Sequence, residues 1–253
     1  METTYDAIIS LGGNCAAASQ LRMRGLRPYS LPFDWTSMDE PRTIEWLKSG
    51  FENGFTDFCL RENLVPLERG GAGVAPYKYK DMLSGYSFIH HFWTEAETEK
   101  GWLVTYNVLR RRVDRLLKVI EKSDKLLFIL ATNFEYDLKI VIQLLTFLRS
   151  KYPQKCIDFH VLQHRVVFKN PLILAEKWPA DFPFTGGRYA RSILTYDFSR
   201  TDTEWEFLDG ISLTGIGKSV KFRQFDGLKY KLWKHLSKYF RDNGYACTGL
   251  RFR

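Results

Sequence analysis

Short apolar runs alternate with stretches whose apolar residues recur every three or four positions, and this alternation predicts most of the fold. Residues 5–11 form a compact apolar run and read as a strand. A helix over about 14–24 follows and stops at Gly25. Residues 86–92 read as a second strand. After it, Leu103, Tyr106, Leu109, Val113, Leu116, Leu117 and Ile120 mark one face of an amphipathic helix. Residues 125–131 are the clearest central strand, and the helix after it, about 136–151, is stopped by Pro153. A fourth strand covers 157–162, and a last helix covers about 225–241 before Gly244. Strands alternating with helices predict an α/β fold: a mostly parallel, Rossmann-like sheet with helices on both faces, in a single α/β domain over 1–253. Two long irregular insertions, about 51–85 and 168–217, are rich in Gly and Pro and read as lids or substrate loops.

Composition sharpens this picture modestly. A chain of 253 residues with 45% apolar content can bury a sizeable core, which excludes a disordered or fibrous protein. The formal charge of +8 favours acidic partners through its field. No recognised nucleic-acid motif accompanies that charge, so nucleic acid is an unlikely partner. No stretch approaches the roughly 18 apolar residues of a membrane span, and the first residues do not read as a secretory leader. The cysteines, Cys15, Cys59, Cys156 and Cys247, are scattered without a C-x-x-C pair. Free thiols of this kind suit a reducing compartment, and a cytoplasmic protein is expected. Metal-ligand spacings are absent from the sequence, and no cofactor is expected.

The chemistry concentrates where strands end. Ser10-Leu11-Gly12-Gly13-Asn14-Cys15 is a strand end, a glycine turn and a thiol at the start of a helix. Unpaired amides and the helix dipole favour an anion there, so Cys15 is expected to ionise easily and to act as a nucleophile. The competing reading is a small buried residue packing a tight turn. Other strand ends supply His90 and His91, Asn133 and Glu135, and His164. In a regular strand His90 and His91 point to opposite faces, so only one of them can serve as base. Phe88 and Phe92 share the His90 face, which would keep that imidazole neutral; His91 is the alternative base.

Asp34, between Phe33 and Trp35, needs a partner if it is buried. It orients the histidine, caps the turn before a helix at Pro41, or pairs with an arginine. Arg111, Arg112 and Arg115, with Arg110, spread around the helix after the second strand. At least one should reach Asp34 or an anionic substrate, and Asn133 is a further substrate-binding candidate. Backbone N–H groups around Gly13 and Asn14 are candidates for binding an oxyanion or another anion.

The motifs Ser10-Leu11-Gly12, Cys15, Gln20-Leu21, Gly25-Leu26-Arg27, Ser30 and Pro32-Phe33-Asp34-Trp35 recur with Phe88-Ile89-His90-His91-Phe92 and Arg111-Arg112-Val113-Asp114-Arg115. Together they resemble the family called putative papain-like cysteine peptidases, a bacterial domain of unknown function. The resemblance implies a Cys–His dyad or a Cys–His–Asp triad on Cys15, His90 and Asp34. It also implies a histidine on an antiparallel sheet, which the strand–helix alternation does not predict.

Two functions follow from these residues. The first is a cysteine-nucleophile hydrolase or acyl transferase acting on a peptide, acyl or anionic glycan-type substrate. The second is a nucleotide-sugar or phosphate-binding enzyme of glycan assembly, which uses the glycine turn, the arginines and the aromatic surface and leaves Cys15 as packing.

Overall fold

The computed structural model describes residues 3–13, 15–38, 40–68, 75–132, 138–164, 192–194, 205 and 208–214. Along the chain the elements are β1 (Thr3–Tyr5), β2 (Ala7–Ser10), α1 (Cys15–Met23), β3 (Thr36–Met38) and α2 (Arg42–Asn53). After a 3-10 turn at Arg61–Asn63 come β4 (Leu64–Pro66), β5 (Tyr77–Asp81), β6 (Tyr86–Phe92) and α3 (Glu99–Lys122). They are followed by β7 (Lys125–Thr132), α4 (Leu138–Lys151), β8 (Cys156–His164), β9 (Ser192–Leu194) and β10 (Ile211–Leu213).

Two four-stranded sheets organise these elements. One is parallel, in the order β2-β7-β8-β9, and the other is antiparallel, in the order β3-β6-β5-β4. A parallel pair, β1 with β10, stands apart from both. The central strand β7 is apolar from Leu126 to Ala131 because both of its faces are covered. Leu126, Phe128 and Leu130 join the larger core with residues of α2, α3, α4 and the antiparallel sheet. Leu127, Ile129 and Ala131 face the other way, among Ala17 and Leu21 of α1 and Trp205, Leu208, Ile211 and Leu213. Such two-sided burial produces a continuous hydrophobic run rather than a polar alternation.

The helix boundaries have local causes. Gly25, at φ +69°, ends α1, and the Leu26 N–H closes onto the Leu21 carbonyl at 2.8 Å. At the start of α3 the Thr98 hydroxyl accepts the Gly101 N–H at 3.1 Å. The buried face of that helix runs through Gly101, Thr105, Leu109, Val113, Leu116 and Ile120, leaving Leu103 41% exposed. The first turn docks on its small residues instead, since a Cβ at position 101 would lie 1.9 Å from the Glu95 carbonyl oxygen.

The mixed α/β class stands, but a single mostly parallel sheet does not form. Residues 86–92 leave the parallel sheet as β6 and pair antiparallel with β3 and β5. An apolar run carries no record of its partner's direction, and the partners here are only three and five residues long. The insertion expected over 51–85 is also largely ordered. It contains the end of α2 and the β4–β5 hairpin, with residues 69–74 outside the described residues. Of the segment 168–217 only β9, Trp205 and residues 208–214 are described, and the helix expected over 225–241 lies outside them.

Candidate active site

The turn between β2 and α1 is a joint between the two sheets. Gly12 and Gly13 have φ of +87° and +112°, a region that L side chains enter only at a penalty. Space excludes a side chain as well. A Cβ on Gly13 would sit 1.3 Å from the Ala131 carbonyl oxygen of β7, and one on Gly12 would sit 2.8 Å from the Thr36 hydroxyl. The Gly12 carbonyl accepts the Ala131 N–H at 3.3 Å, and the Gly13 carbonyl accepts the Met38 N–H at 3.4 Å. The first bond holds the turn to the parallel sheet and the second to the antiparallel one. The Gly12 N–H is taken by the Ser10 hydroxyl at 3.2 Å. A closed turn of this kind aims the first residue of α1, Cys15, into the seam between the sheets.

His90 arrives from the other side. On β5 and β6, Tyr77 faces Phe92 and Tyr79 faces Phe88, so Lys78 alone stands opposite Ile89, His90 and His91. That irregularity is a β-bulge, which bends a strand and re-aims its side chains. It explains why 89, 90 and 91 are all partly exposed in an otherwise buried strand. The bulge also overturns the expected packing of the two histidines. His91 meets the edge of Phe88, with centroids 5.5 Å apart, whereas His90 lies edge-on to Trp35 at 6.3 Å. His90 Nε2 stands 3.0 Å from Cys15 Sγ. These two groups, 75 residues apart, are in hydrogen-bond contact.

The electrostatics around the pair differ from the expectation of an acidic thiol. Burial pushes the Cys15 thiol up to about 11, although its own backbone N–H pulls the other way. Desolvation, then the Lys78 ammonium, holds His90 below its ordinary 6.5. Near neutral pH the resting pair is therefore a thiol beside a neutral imidazole, not a thiolate beside an imidazolium. A helix start favours the thiolate, but partial desolvation of the sulfur outweighs it here.

Asp34 is committed elsewhere. Its Oδ2 accepts from Arg27 Nε at 2.7 Å and from the Leu31 N–H at 2.8 Å, and the aspartate is 2% exposed. Of the three roles open from the sequence, the arginine pairing is the one formed. Arg27 also lies over the Trp35 ring, 5.6 Å from its centroid, and donates to the Ser30 hydroxyl at 2.7 Å. Trp35 has φ +66°, a strained conformation for a large side chain that its surroundings must hold. The carboxylate is thus linked to His90 through Arg27 and Trp35.

His91 turns away from the sulfur. Its Nε2 accepts from Arg112 Nη1 at 3.4 Å, which leaves its proton on Nδ1. Nδ1 is sealed from solvent without an aligned partner, although the nearby Asp34 backbone carbonyl favours the protonated ring. Burial, then Arg112 and His90, push His91 down to about 3. Such a group neither reaches the thiol nor takes up a proton near neutral pH.

The other candidates are scattered. Arg112 is itself pulled down by burial beside His91. Arg110 donates to the Phe55 carbonyl, and Arg115 donates to the Ser30 carbonyl at 2.7 Å. Arg111 is exposed on the outer side of α3. Gly13 sits in the closed turn, while Asn14, Asn133 and Glu135 lie outside the described residues. His164 is the last residue of β8.

Residues 6–169 match the family model described as "Putative papain-like cysteine peptidase (DUF1796)". The chain belongs to this family. It is also similar to "Uncharacterized protein R408" of Acanthamoeba polyphaga mimivirus, at 31% identity over 138 residues. That alignment covers 48% of this chain and 59% of the viral protein, so the chain spans about three-fifths of the relative's length. No solved structure matches. Every residue described above around the Cys15–His90 pair falls within the stretch matched to the family.

Trp35, Arg27 and Lys78 belong to this neighbourhood; the sequence offers Arg27 and Trp35 only as parts of the family-like motifs, and Lys78 not at all. Thr36 pairs with Phe88, and continuing that antiparallel register places residues 34 and 35 beside 90 and 89. Lys78 is opposed to His90 only through the bulge, which no local pattern announces.

Proposed function

We propose that the chain is a cysteine-nucleophile hydrolase or acyl transferase acting on peptide or related acyl substrates. The observation that carries the reading is the 3.0 Å approach of His90 Nε2 to Cys15 Sγ across two sheets. His90 begins as a neutral base with its Nδ1–H tautomer, so that Nε2 is free to accept the thiol proton. As the proton moves, sulfur attacks the carbonyl carbon and the carbonyl electrons pass to oxygen. In this reading backbone N–H groups in the first turn of α1, Cys15 N–H among them, donate to that oxyanion. Collapse expels the leaving group, which takes its proton from the His90 imidazolium and leaves an S-acyl enzyme. Water, deprotonated by His90, then hydrolyses the thioester; an acceptor amine or alcohol in its place gives acyl transfer.

The raised thiol pKa makes this a base-assisted attack rather than attack by a standing thiolate. Asp34 and Arg27 act as positioning residues, holding Trp35 against the His90 ring. The nucleotide-sugar reading would need the glycine turn to open its amides to phosphate, whereas Ser10 already engages the Gly12 N–H.

The test is acyl-enzyme capture. The protein is incubated with an activated peptide ester, quenched in acid and digested for mass spectrometry. Acylation is expected on the peptide carrying Cys15, absent in Cys15→Ser and slowed about 10²-fold in His90→Ala. Acylation confined to the exposed Cys156, or equal rates with and without His90, would contradict the reading.

A further inference from the structure

Along one flank of α3, Arg111, Arg115, Lys118 and Lys122 recur at intervals of four, three and four residues. That spacing forms a single stripe ~16 Å long on one side of a helix. The stripe lines a cavity of about 690 Å³, a size that suits a small-molecule ligand. Cys15 and His90 do not line it, so this inference stands apart from the hydrolase reading.

The cationic character of the groove is not cancelled from within. Among the described residues Arg111, Lys118 and Lys122 have no ion-pair partner. Two carboxylates also line the cavity beside its four cations. Asp6 Oδ2 accepts the Asp124 and Lys125 N–H groups, each at 2.8 Å, and these contacts with Thr214 hold its carboxyl below the ordinary range. Asp114 lies 3.9 Å from Arg110. One turn in from the Arg111 end of the stripe, Arg115 is pinned by its bond to the Ser30 carbonyl and lies over the Tyr29 ring, 5.9 Å from its centroid. A fixed guanidinium therefore lies over an aromatic ring, with the lysines beyond it and Ser123 at the far end.

We propose that this groove binds a small polyphosphorylated molecule, its phosphates along the α3 cations and any flat ring or sugar on Tyr29. Guanidinium and ammonium groups in a row recognise adjacent phosphates by charge-assisted hydrogen bonds. A continuous nucleic-acid strand is the weaker match, because a cavity of this size encloses a small molecule rather than an extended backbone.

Calorimetric titration of the full chain with inorganic tripolyphosphate, ATP and a 20-nucleotide single-stranded RNA tests this. Saturable one-to-one binding of tripolyphosphate is expected, weakened at least 10-fold in the exposed double variant Lys118→Glu, Lys122→Glu. It should be unchanged in Cys15→Ser and in the remote control Lys48→Glu, with unaltered circular dichroism throughout. Tighter ATP binding places a nucleoside on Tyr29; equal binding makes the phosphates alone the determinant, and either supports the proposal. No saturable binding, or binding indifferent to the double variant, overturns it. RNA binding tighter than both small ligands overturns it in favour of a nucleic-acid surface.

Discussion

The thiol and the imidazole reach one point from two sheets that are held by different physics. On the parallel side Cys15 is placed chiefly by backbone: two glycines at positive φ, bonded to Ala131 and, across the seam, to Met38, with no room for a methyl group. On the antiparallel side the His90 bulge is flanked by a charged and aromatic set, Arg27, Asp34, Trp35 and Arg112. Backbone placement is rigid and tolerates no substitution. Side-chain placement can be weakened by degrees, and burial, with Lys78 beside His90 and Arg112 beside His91, holds both imidazoles below their ordinary range. The thiol is therefore fixed by backbone shape, and the imidazole by its side-chain surroundings.

Substitutions that attack the two halves separately should differ in size. Gly13→Ala is expected to have the largest effect, because its Cβ would overlap the Ala131 carbonyl and its φ is unfavourable. A loss of at least ~4 kcal/mol is expected, read by urea unfolding or as failure to accumulate as soluble protein. A Gly13→Ala protein of near-parental stability would show that the turn is not the joint described. Asp34→Ala comes next. It leaves the Arg27 guanidinium, 12% exposed, without its carboxylate, and breaking such a buried pair costs about 3–5 kcal/mol. The double variant Asp34→Leu, Arg27→Met should recover much of that loss, and its failure to do so would locate the damage in Trp35 and His90 instead.

Acid gives the smallest and most graded effect. Burial holds His91 and His160 neutral down to about pH 3, whereas both rings in an unfolded chain take up protons below about 6.5. Above 6.5 these rings make stability independent of pH. As the pH falls from 6.5 towards 3, the unfolded state alone gains protons, and stability should drop by about 1.4 kcal/mol per pH unit for each ring. Urea midpoints measured between pH 7 and 4 check this, and His160→Phe should roughly halve the contribution of the two rings to the slope. A slope unchanged by that variant would mean that His160 is not held neutral.

Much of the scaffold is legible in the sequence, and for a stated reason. Strand β7 and helix α3 are covered by the core in ways that leave a long periodic trace, so residues 125–131 and the stripe from Leu109 to Ile120 announce themselves. The antiparallel sheet leaves almost no such trace. Three of its strands are three to five residues long, and β6 carries an apolar run equally suited to either pairing direction. In the candidate site, Cys15 and His90 are legible because a thiol after a glycine turn and a histidine late in a strand are unusual placements. The Asp34–Arg27 pair is half-legible: burial of the carboxylate follows from Phe33 and Trp35, but the choice of arginine does not. The raised thiol pKa is not legible at all, because it depends on how closely the surrounding chain encloses the sulfur.

The central claim is that His90 acts as base toward a thiol that would otherwise stay protonated, and alkylation of Cys15 as a function of pH tests it most directly. Iodoacetamide labelling is followed peptide by peptide in the parent protein and in His90→Ala between pH 5 and 10. The parent rate at Cys15 should rise as the pH climbs through the depressed His90 pKa, below 6.5, and then stay level across neutral pH. Near pH 7 it should exceed the His90→Ala rate about 10²-fold, and the variant should gain reactivity only as the pH approaches the thiol pKa of about 11. Identical profiles for the two proteins would contradict the account.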